Sequence, residues 1–107
     1  MNYRVVVQPN AKSDLRNYFL TAAEHAPRTA ARWLERFEAA LASLSLNPCR
    51  CALAPENDAL EIEIRQLVFG KRRGAFRALF TVVKDEVHVL HIRRATMKTA
   101  TPNELFG

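Results

Sequence analysis

The sequence predicts an α+β fold in which a helical hairpin packs on one face of a mostly antiparallel four-stranded sheet. Three observations lead to this prediction. The chain opens on a run of β-branched residues, continues through two segments with apolar residues at helical spacing, and then alternates in the manner of strands. The expected element order is therefore β-α-α-β-β-β. The 107 residues suffice for one hydrophobic core and are too few for two, so residues 1–107 are expected to form a single domain.

The first strand and the two helices are expected in the first half of the chain. Residues 3–8 read Tyr-Arg-Val-Val-Val-Gln and are stopped by Pro9, which predicts a strand. Apolar residues then recur on one helical face, with Asn10 available as the N-cap of a first helix. Pro27 fits the first turn of a second helix, whose apolar stripe continues until Pro48 ends it.

Three strands are expected in the second half. Residues 60–69 alternate between apolar and charged side chains, and a shift of phase near Gln66-Leu67 is typical of a β-bulge. Residues 75–83 and 87–94 predict the third and fourth strands. The polar tail that follows is expected to be loosely held.

The turn between the last two strands decides which residues lie beside Arg77. A three-residue loop at positions 84–86 sets Arg93 opposite Arg77. A two-residue loop instead sets Arg94 and His88 beside it and directs Arg93 to the core. Because burying an unpaired arginine is costly, the three-residue loop is preferred.

In the preferred register the outward face of the sheet is basic. Arg77 and Arg93 lie side by side on the face that the helices leave bare, and His91 joins them. Leu90 and Ile92 fall on the core face. A concave basic surface is therefore expected on the bare side of the sheet.

Positive charge is concentrated in the last third of the chain. The formal net charge is +5, and nine of the 16 Lys and Arg residues lie between positions 65 and 98, where the only acidic residues are Asp85 and Glu86. This asymmetry indicates an anionic partner, either nucleic acid or an acidic protein segment, that docks on the C-terminal elements.

Composition excludes several classes of protein. Hydrophobic residues make up 49% of the chain, yet no apolar run reaches the roughly 18 residues of a membrane span, so a cytoplasmic protein without a membrane partner is expected. Cys49 and Cys51 are too close in sequence for an unstrained disulfide. Together with His88 and His91 they do not match zinc spacing, because the two histidines point to opposite faces of a strand. No metal and no cofactor are expected.

Two runs in the C-terminal half resemble the corresponding half of RelE/ParE family toxins. They are residues 64–80, Ile-Arg-Gln-Leu-Val-Phe-Gly-Lys-Arg-Arg-Gly-Ala-Phe-Arg-Ala-Leu-Phe, and residues 87–95, Val-His-Val-Leu-His-Ile-Arg-Arg-Ala. The strand-helix-helix opening and the element lengths are also similar. The resemblance implies the toxin of a type II toxin–antitoxin module, which arrests growth and is neutralised by a cognate antitoxin that wraps around it.

The resemblance implies one of two targets, DNA gyrase or the ribosome with its messenger RNA. In a messenger RNA endonuclease, Arg77 together with Arg93 or Arg94 would stabilise charge on the phosphate. The candidates for proton transfer would be His91, Lys71 and Glu63. Arg94 stands where many relatives carry a histidine, and Phe106, the only late aromatic residue, cannot donate a proton. These departures favour the ParE-like branch, in which gyrase is the target and the toxin has no catalysis of its own. A non-toxic nucleic-acid-binding or adaptor domain is the third hypothesis.

The surface expected to bind the target and the antitoxin combines cationic side chains with two apolar neighbours. Its members are Arg65, Lys71, Arg72, Arg73, Arg77, Leu79, Val89, Arg93, Arg94 and Lys98. An antitoxin segment would cover it as a helix or an added strand, with acidic side chains over the arginines. Because an outward arginine adds little to packing, Arg77→Ala is expected to weaken toxicity and leave the fold intact.

Overall fold

A computed structural model describes residues 2–59 and 61–106 of the chain and confirms the expected class. The helices and strands are β1 (Arg4–Val7), α1 (Pro9–Ala23), α2 (Pro27–Ala42), β2 (Arg65–Phe69), β3 (Phe76–Val83), β4 (Glu86–Arg94) and α3 (Pro102–Phe106). The sheet has the strand order β1-β4-β3-β2. β1 runs parallel to β4, and the other two pairs of strands are antiparallel. The α1–α2 hairpin covers one face of this sheet.

Both long helices begin at a proline. Pro9 and Pro27 occupy the first helical turn, where an N–H would have no partner within the helix. The predicted N-cap Asn10 is wrong, because α1 begins at Pro9 and its N-cap is Gln8, two residues earlier. The two helices differ in what they bury: α2 buries Ala30, Phe37 and Leu41, whereas α1 buries Ala11 and Leu15 and no aromatic residue.

β2 is shorter than the alternating pattern predicted. Residue 60, where the predicted strand begins, lies outside the described residues, and the observed strand begins only at Arg65. Its register with β3 is continuous from Arg65 opposite Phe80 to Phe69 opposite Phe76, so the predicted bulge near Gln66-Leu67 is wrong. Before the strand, the backbone at Ile64 bonds to Asn57 and Ala54 of the preceding loop, which holds that segment out of the ladder.

The β3–β4 hairpin has the expected pairing of Arg77 with Arg93, but its turn is not the predicted one. The turn has two residues, Lys84 and Asp85, so the prediction of a three-residue loop is wrong. Arg77 nevertheless lies opposite Arg93, as expected, because the register shifts at Leu79/Phe80 and leaves one extra residue in β4. That residue is Leu90, which lies on the side of the sheet away from the helical hairpin and not on the predicted core face.

The sheet has a hydrophobic cluster on each side. The larger cluster lies under the helical hairpin and includes Phe37, Phe76 and Phe80. The smaller one lies on the opposite side and consists of Ala54, Ile64, Leu79, Leu90, Ala100 and Leu105. The predicted bare face is therefore covered by the chain itself. A helix in the tail was not predicted, and it forms because Leu105 of α3 is buried in the second cluster.

Within residues 2–59 and 61–106, no helix combines the length and the apolar character that crossing a membrane requires.

Candidate functional site

Arg77 is the centre of a buried ion pair and not an outward-facing cation. Its side chain is 8% exposed, and its two terminal nitrogens each lie 2.9 Å from a carboxylate oxygen of Glu56. Nη1 also donates to Oε1 of Gln66 at 3.2 Å. The prediction that Arg77 belongs to an exposed basic surface is wrong, because the loop before β2 turns back over the sheet and brings a carboxylate to it.

Glu56 links three separate segments of the chain. One of its carboxylate oxygens accepts the backbone N–H of Ala100 at 2.8 Å, in addition to the contacts from Arg77 on β3. Burial on its own would raise the pKa of Glu56, but the hydrogen bonds from Arg77 and from the Ala100 amide, together with the charge of Arg77, outweigh it and lower the pKa to about 2. Glu56 is therefore ionised at neutral pH.

Arg93 is buried in the same way by the C-terminal tail. Its side chain is 4% exposed, and Nη1 donates to Oε2 of Glu104 at 2.9 Å. Nη1 also lies 3.4 Å from Nε2 of His91, while Nε of Arg93 has no hydrogen-bond partner among the residues that the structure describes. The prediction of an exposed Arg93 is wrong, since α3 places a carboxylate over it.

A capping box positions Glu104. The N–H of Glu104 donates to Oγ1 of Thr101, and the N–H of Thr101 donates to Oε1 of Glu104. Hydrogen bonding from the Thr101 backbone, followed by that from Arg93, lowers the pKa of Glu104. The run Thr101-Pro102-Asn103-Glu104 is the sequence signature of such a box, so this helix start could have been recognised before the structure was known.

His91 lies between Arg93 and the first helix. Its Nδ1 is 2.7 Å from Oδ2 of Asp14, without the geometry of a hydrogen bond, and the same oxygen accepts the backbone N–H of Ile92 at 3.0 Å. Three residues of the nuclease hypothesis, Arg77, His91 and Arg93, are thus in one region, but each lies against a carboxylate of the chain itself. The sequence analysis did not identify Glu56, Asp14 or Glu104 as their partners.

The two apolar members of the predicted docking surface are not accessible. Leu79 and Val89 are both 0% exposed. Leu79 is in the cluster that the tail covers, and Val89 is under the helical hairpin. The prediction that they form an exposed apolar patch beside the arginines is wrong, because each is enclosed by elements of its own chain.

Among the other cations of the predicted docking surface, Arg65 is bound within the protein and the rest are exposed. Arg65 bonds to Glu63 at 2.8 Å and to the carbonyl oxygen of Cys51 at 2.7 Å. The exposed ones are Lys71, Arg72, Arg73, Arg94 and Lys98. None of these five is in an ion pair with any residue in 2–59 or 61–106. Exposed positive charge is therefore present, but at one end of the sheet and not across its face.

No group of three or more metal-ligating side chains occurs among the residues that the structure describes. Cys49 is exposed and Cys51 is half-buried, and both are free thiols. Burial raises the pKa of the Cys51 thiol, while Arg50 and Arg65 oppose that shift. This keeps the thiol of Cys51 protonated at neutral pH.

An apolar concave surface lies elsewhere, between the helical hairpin and β1. It is an apolar groove of about 500 Å³, here called the hairpin groove. Its apolar lining is Val5, Val7, Leu15, Phe19, Leu34, Leu41 and Ala42, and its charged lining is Lys12, Arg16 and Glu38. This groove could not be predicted from the sequence, because its residues lie in segments far apart in the chain and come together only when β1 packs against the hairpin.

Comparison with known proteins shows which family and which solved structures the chain is similar to. Residues 5–99 match the sequence model of the ParE toxin of the type II toxin–antitoxin system parDE. No curated protein matches the sequence. Among solved structures, a chain of the chromosomal ParDE toxin–antitoxin system from P. aeruginosa is similar, with a TM-score of 0.70 and 19% identity over 86% of this chain and 95% of that one.

A second similar structure is a chain of the RelBE2 toxin–antitoxin complex from Mycobacterium tuberculosis. It has a TM-score of 0.53 and 22% identity, and the match covers 88% of this chain and 99% of that one. At such low identity, the two structures establish a shared fold.

Proposed function

Because the chain belongs to the ParE toxin family of type II toxin–antitoxin systems, we propose that it arrests bacterial growth by inhibiting DNA gyrase and is neutralised by a cognate antitoxin. The observation that carries this proposal is the family match over residues 5–99, which takes in the helical hairpin, β2, β3, β4 and all of β1 except Arg4.

The buried ion pairs support gyrase over messenger RNA as the target. A ribonuclease of this type needs free guanidinium groups at the phosphate that it cleaves. Here Arg77 and Arg93 lie against Glu56 and Glu104 and are almost fully buried. A phosphate would have to displace two carboxylates of the protein before either arginine could stabilise a transition state. Inhibition by binding requires no such displacement.

Growth arrest is the first expected result. Inducing this chain alone in a bacterium should halt growth and produce filamentous cells with broken DNA, and co-expressing the neighbouring open reading frame should restore growth. The purified protein should inhibit supercoiling by gyrase in the same concentration range as it binds the enzyme. An identical plasmid with an early stop codon is the control.

Two other results would contradict this proposal. Rapid decay of translated messages without DNA damage would identify a ribosome-dependent nuclease. Unimpaired growth of cells that contain the folded protein would instead favour a non-toxic adaptor.

The hairpin groove is the surface that fits an antitoxin segment best. Half-buried apolar side chains of β1, α1 and α2 line it, and soluble proteins usually cover such a patch with a partner. Lys12 and Arg16 at its border complement an acidic polypeptide, of the kind that the sequence analysis expected over the arginines of the sheet.

The edge of the sheet adds backbone donors to this groove. β1 is an edge strand, and the N–H groups of Arg4 and Gln8 bond to the β4 side of the sheet. Since successive residues of a strand alternate in direction, the N–H groups of Val5 and Val7 point away from β4, toward the open edge. An antitoxin segment can therefore lie with apolar side chains in the groove and pair its backbone with β1.

Phe19 and its neighbour Leu20 offer a matched test of this docking site. Phe19 lines the groove, whereas Leu20 is exposed on α1 outside it. We expect Phe19→Glu to weaken antitoxin binding by about 100-fold, which corresponds to the roughly 1.5–3 kcal/mol gained when a large apolar side chain is buried. Leu20→Glu should change the dissociation constant less than about 3-fold.

The measurement is titration calorimetry with the purified product of the neighbouring gene. Thermal unfolding of both variants alone controls for loss of fold. Equal losses of affinity in the two variants would place the antitoxin on another surface.

A further inference from the structure

A second cavity lies at the end of the sheet where β3 begins, on the opposite side of the hairpin from the groove described above. Its volume is about 350 Å³, and three aromatic residues line it: Tyr18 of α1, Trp33 of α2 and Phe76 of β3. We call it the aromatic cavity. Its size is at the small end of the range of roughly 300–1,000 Å³ that is typical of small-ligand sites.

Arg94 forms the charged wall of the aromatic cavity. Its guanidinium lies 5.6 Å from the centre of the Tyr18 ring and 5.5 Å from that of Phe76, which are cation–π distances. The rings hold the guanidinium in place from one side and leave its N–H donors unpaired with any acid among the described residues. Among the described residues, no carboxylate lines the cavity.

A basic turn adjoins the cavity directly. Gly70, Lys71, Arg72, Arg73 and Gly74 join β2 to β3, and we call residues 70–74 the basic turn. Gly74 itself lines the cavity. Lys71, Arg72 and Arg73 are exposed in the turn that ends at Gly74, and none of them is in an ion pair within residues 2–59 and 61–106.

We propose that this end of the molecule binds single-stranded nucleic acid, with a base in the aromatic cavity and the adjacent phosphates on the basic turn. Sequence-tolerant sites for single strands combine the same two parts, a flat aromatic surface for a base and a row of cations for the backbone. The inference goes beyond the proposed inhibition of gyrase and does not depend on it.

Two other anionic partners fit this surface less well. An acidic protein segment would account for the cations but leaves the three aromatic walls without a role. Duplex DNA has the higher charge density, but its bases are stacked and paired, and inserting one into a cavity requires unstacking energy. Charge alone therefore favours a duplex, whereas the cavity favours a single strand.

The single tryptophan makes the cavity directly observable. Trp33 is the only tryptophan in the sequence, so intrinsic fluorescence reports on this site alone. The probe is a dye-labelled 15-residue oligothymidylate, and its binding to the full chain is followed by anisotropy and by Trp33 emission. We expect saturable binding that quenches Trp33, and affinity at least 10-fold tighter than for a duplex of the same length.

Substitutions separate the charged part of the site from the aromatic part. For Lys71→Gln with Arg73→Gln, we expect affinity to fall about 10-fold at low salt, and the slope of log affinity against log salt to decrease by about 1.4, or 0.7 for each lost phosphate contact. For Tyr18→Leu, which removes a ring without changing charge, we expect a similar loss of affinity with an unchanged salt slope. Lys84→Gln removes one charge at the opposite end of the β3–β4 hairpin and should have no effect.

Three outcomes would overturn the proposal. They are a duplex bound at least as tightly as the single strand, Trp33 emission unchanged at saturation, and polyglutamate competing with the oligonucleotide at equal charge concentration. Circular dichroism checks the fold of each variant. If Tyr18→Leu fails to fold, the quenching of Trp33 in the unsubstituted protein still decides whether a base enters the cavity.

Discussion

Replacing Glu56 by alanine is expected to destabilise the protein by about 3–5 kcal/mol, because the substitution leaves a buried guanidinium without a counter-ion. Arg77 is bound by both oxygens of Glu56, and the Ala100 amide loses its acceptor in the same step. A small domain has only about 5–15 kcal/mol of stability, so the midpoint of thermal unfolding should fall by more than about 10 °C.

The control for this experiment is a pair on the surface. Arg4 and Glu86 also form a salt bridge, but Arg4 is largely exposed, so Arg4→Ala should cost no more than about 1 kcal/mol. Arg77→Ala, in contrast, should destabilise nearly as much as Glu56→Ala. This reverses the prediction from the sequence that Arg77→Ala would leave the fold intact.

A double substitution distinguishes loss of the pair from loss of packing. Glu56→Leu with Arg77→Met removes both charges and keeps much of the buried volume, and it should recover most of the stability that either single change loses. Urea unfolding followed by Trp33 fluorescence measures all the variants. If Glu56→Ala lowered the free energy of unfolding no more than Arg4→Ala does, the buried pair of Arg77 and Glu56 would not stabilise the side of the sheet opposite the helical hairpin.

Low pH is expected to destabilise the folded protein, because it protonates the carboxylate of Glu56. The pKa of Glu56 is about 2 in the folded state, compared with 4.5 for an unperturbed glutamate. Because this pKa is lower in the folded state, ionised Glu56 stabilises the folded protein above pH 4.5. This contribution to stability is lost as the pH falls from 4.5 to 2. The difference corresponds to about 3 kcal/mol.

Glu56→Gln provides the comparison for the acid experiment, because glutamine does not titrate. The free energy of unfolding is measured at intervals from pH 7 to pH 2 for both proteins. Glu86 and Glu104, whose pKa values are also lowered, titrate in both and cancel in the difference. The unsubstituted protein should lose about 3 kcal/mol more than the variant over this range, and parallel curves would show that Glu56 is not the responsible group.

The sequence predicted the order of elements because each depends on local patterns. The β-branched run of β1, the helical spacing of α1 and α2, and the alternation in β3 and β4 are all properties of a few consecutive residues. The pairing of Arg77 with Arg93 was also predicted, although through the wrong turn. The extra residue at Leu90 could not be inferred, since a bulge depends on how two strands pack together.

The environment of the site could not be predicted from the sequence in the same way. Glu56 is 21 residues from Arg77 and 44 from Ala100, and no local pattern relates residues at such distances. The burial of Leu79 and Val89 depends on where the tail and the hairpin lie, which is a property of the folded chain. Only the start of α3 could be predicted from a local pattern, because Thr101 and Glu104 have the spacing of a capping box.

The capping box of Thr101 and Glu104 also affects how the chain folds during its synthesis. On the ribosome, β3 and β4 are synthesised before Glu104, so a nascent chain that has already paired these strands carries Arg93 without its carboxylate. The side of the sheet that α3 covers therefore closes only after the tail has left the exit tunnel. Until then the growing chain has Arg93 without its carboxylate and exposed apolar residues, and such a surface is prone to contact chaperones or neighbouring nascent chains.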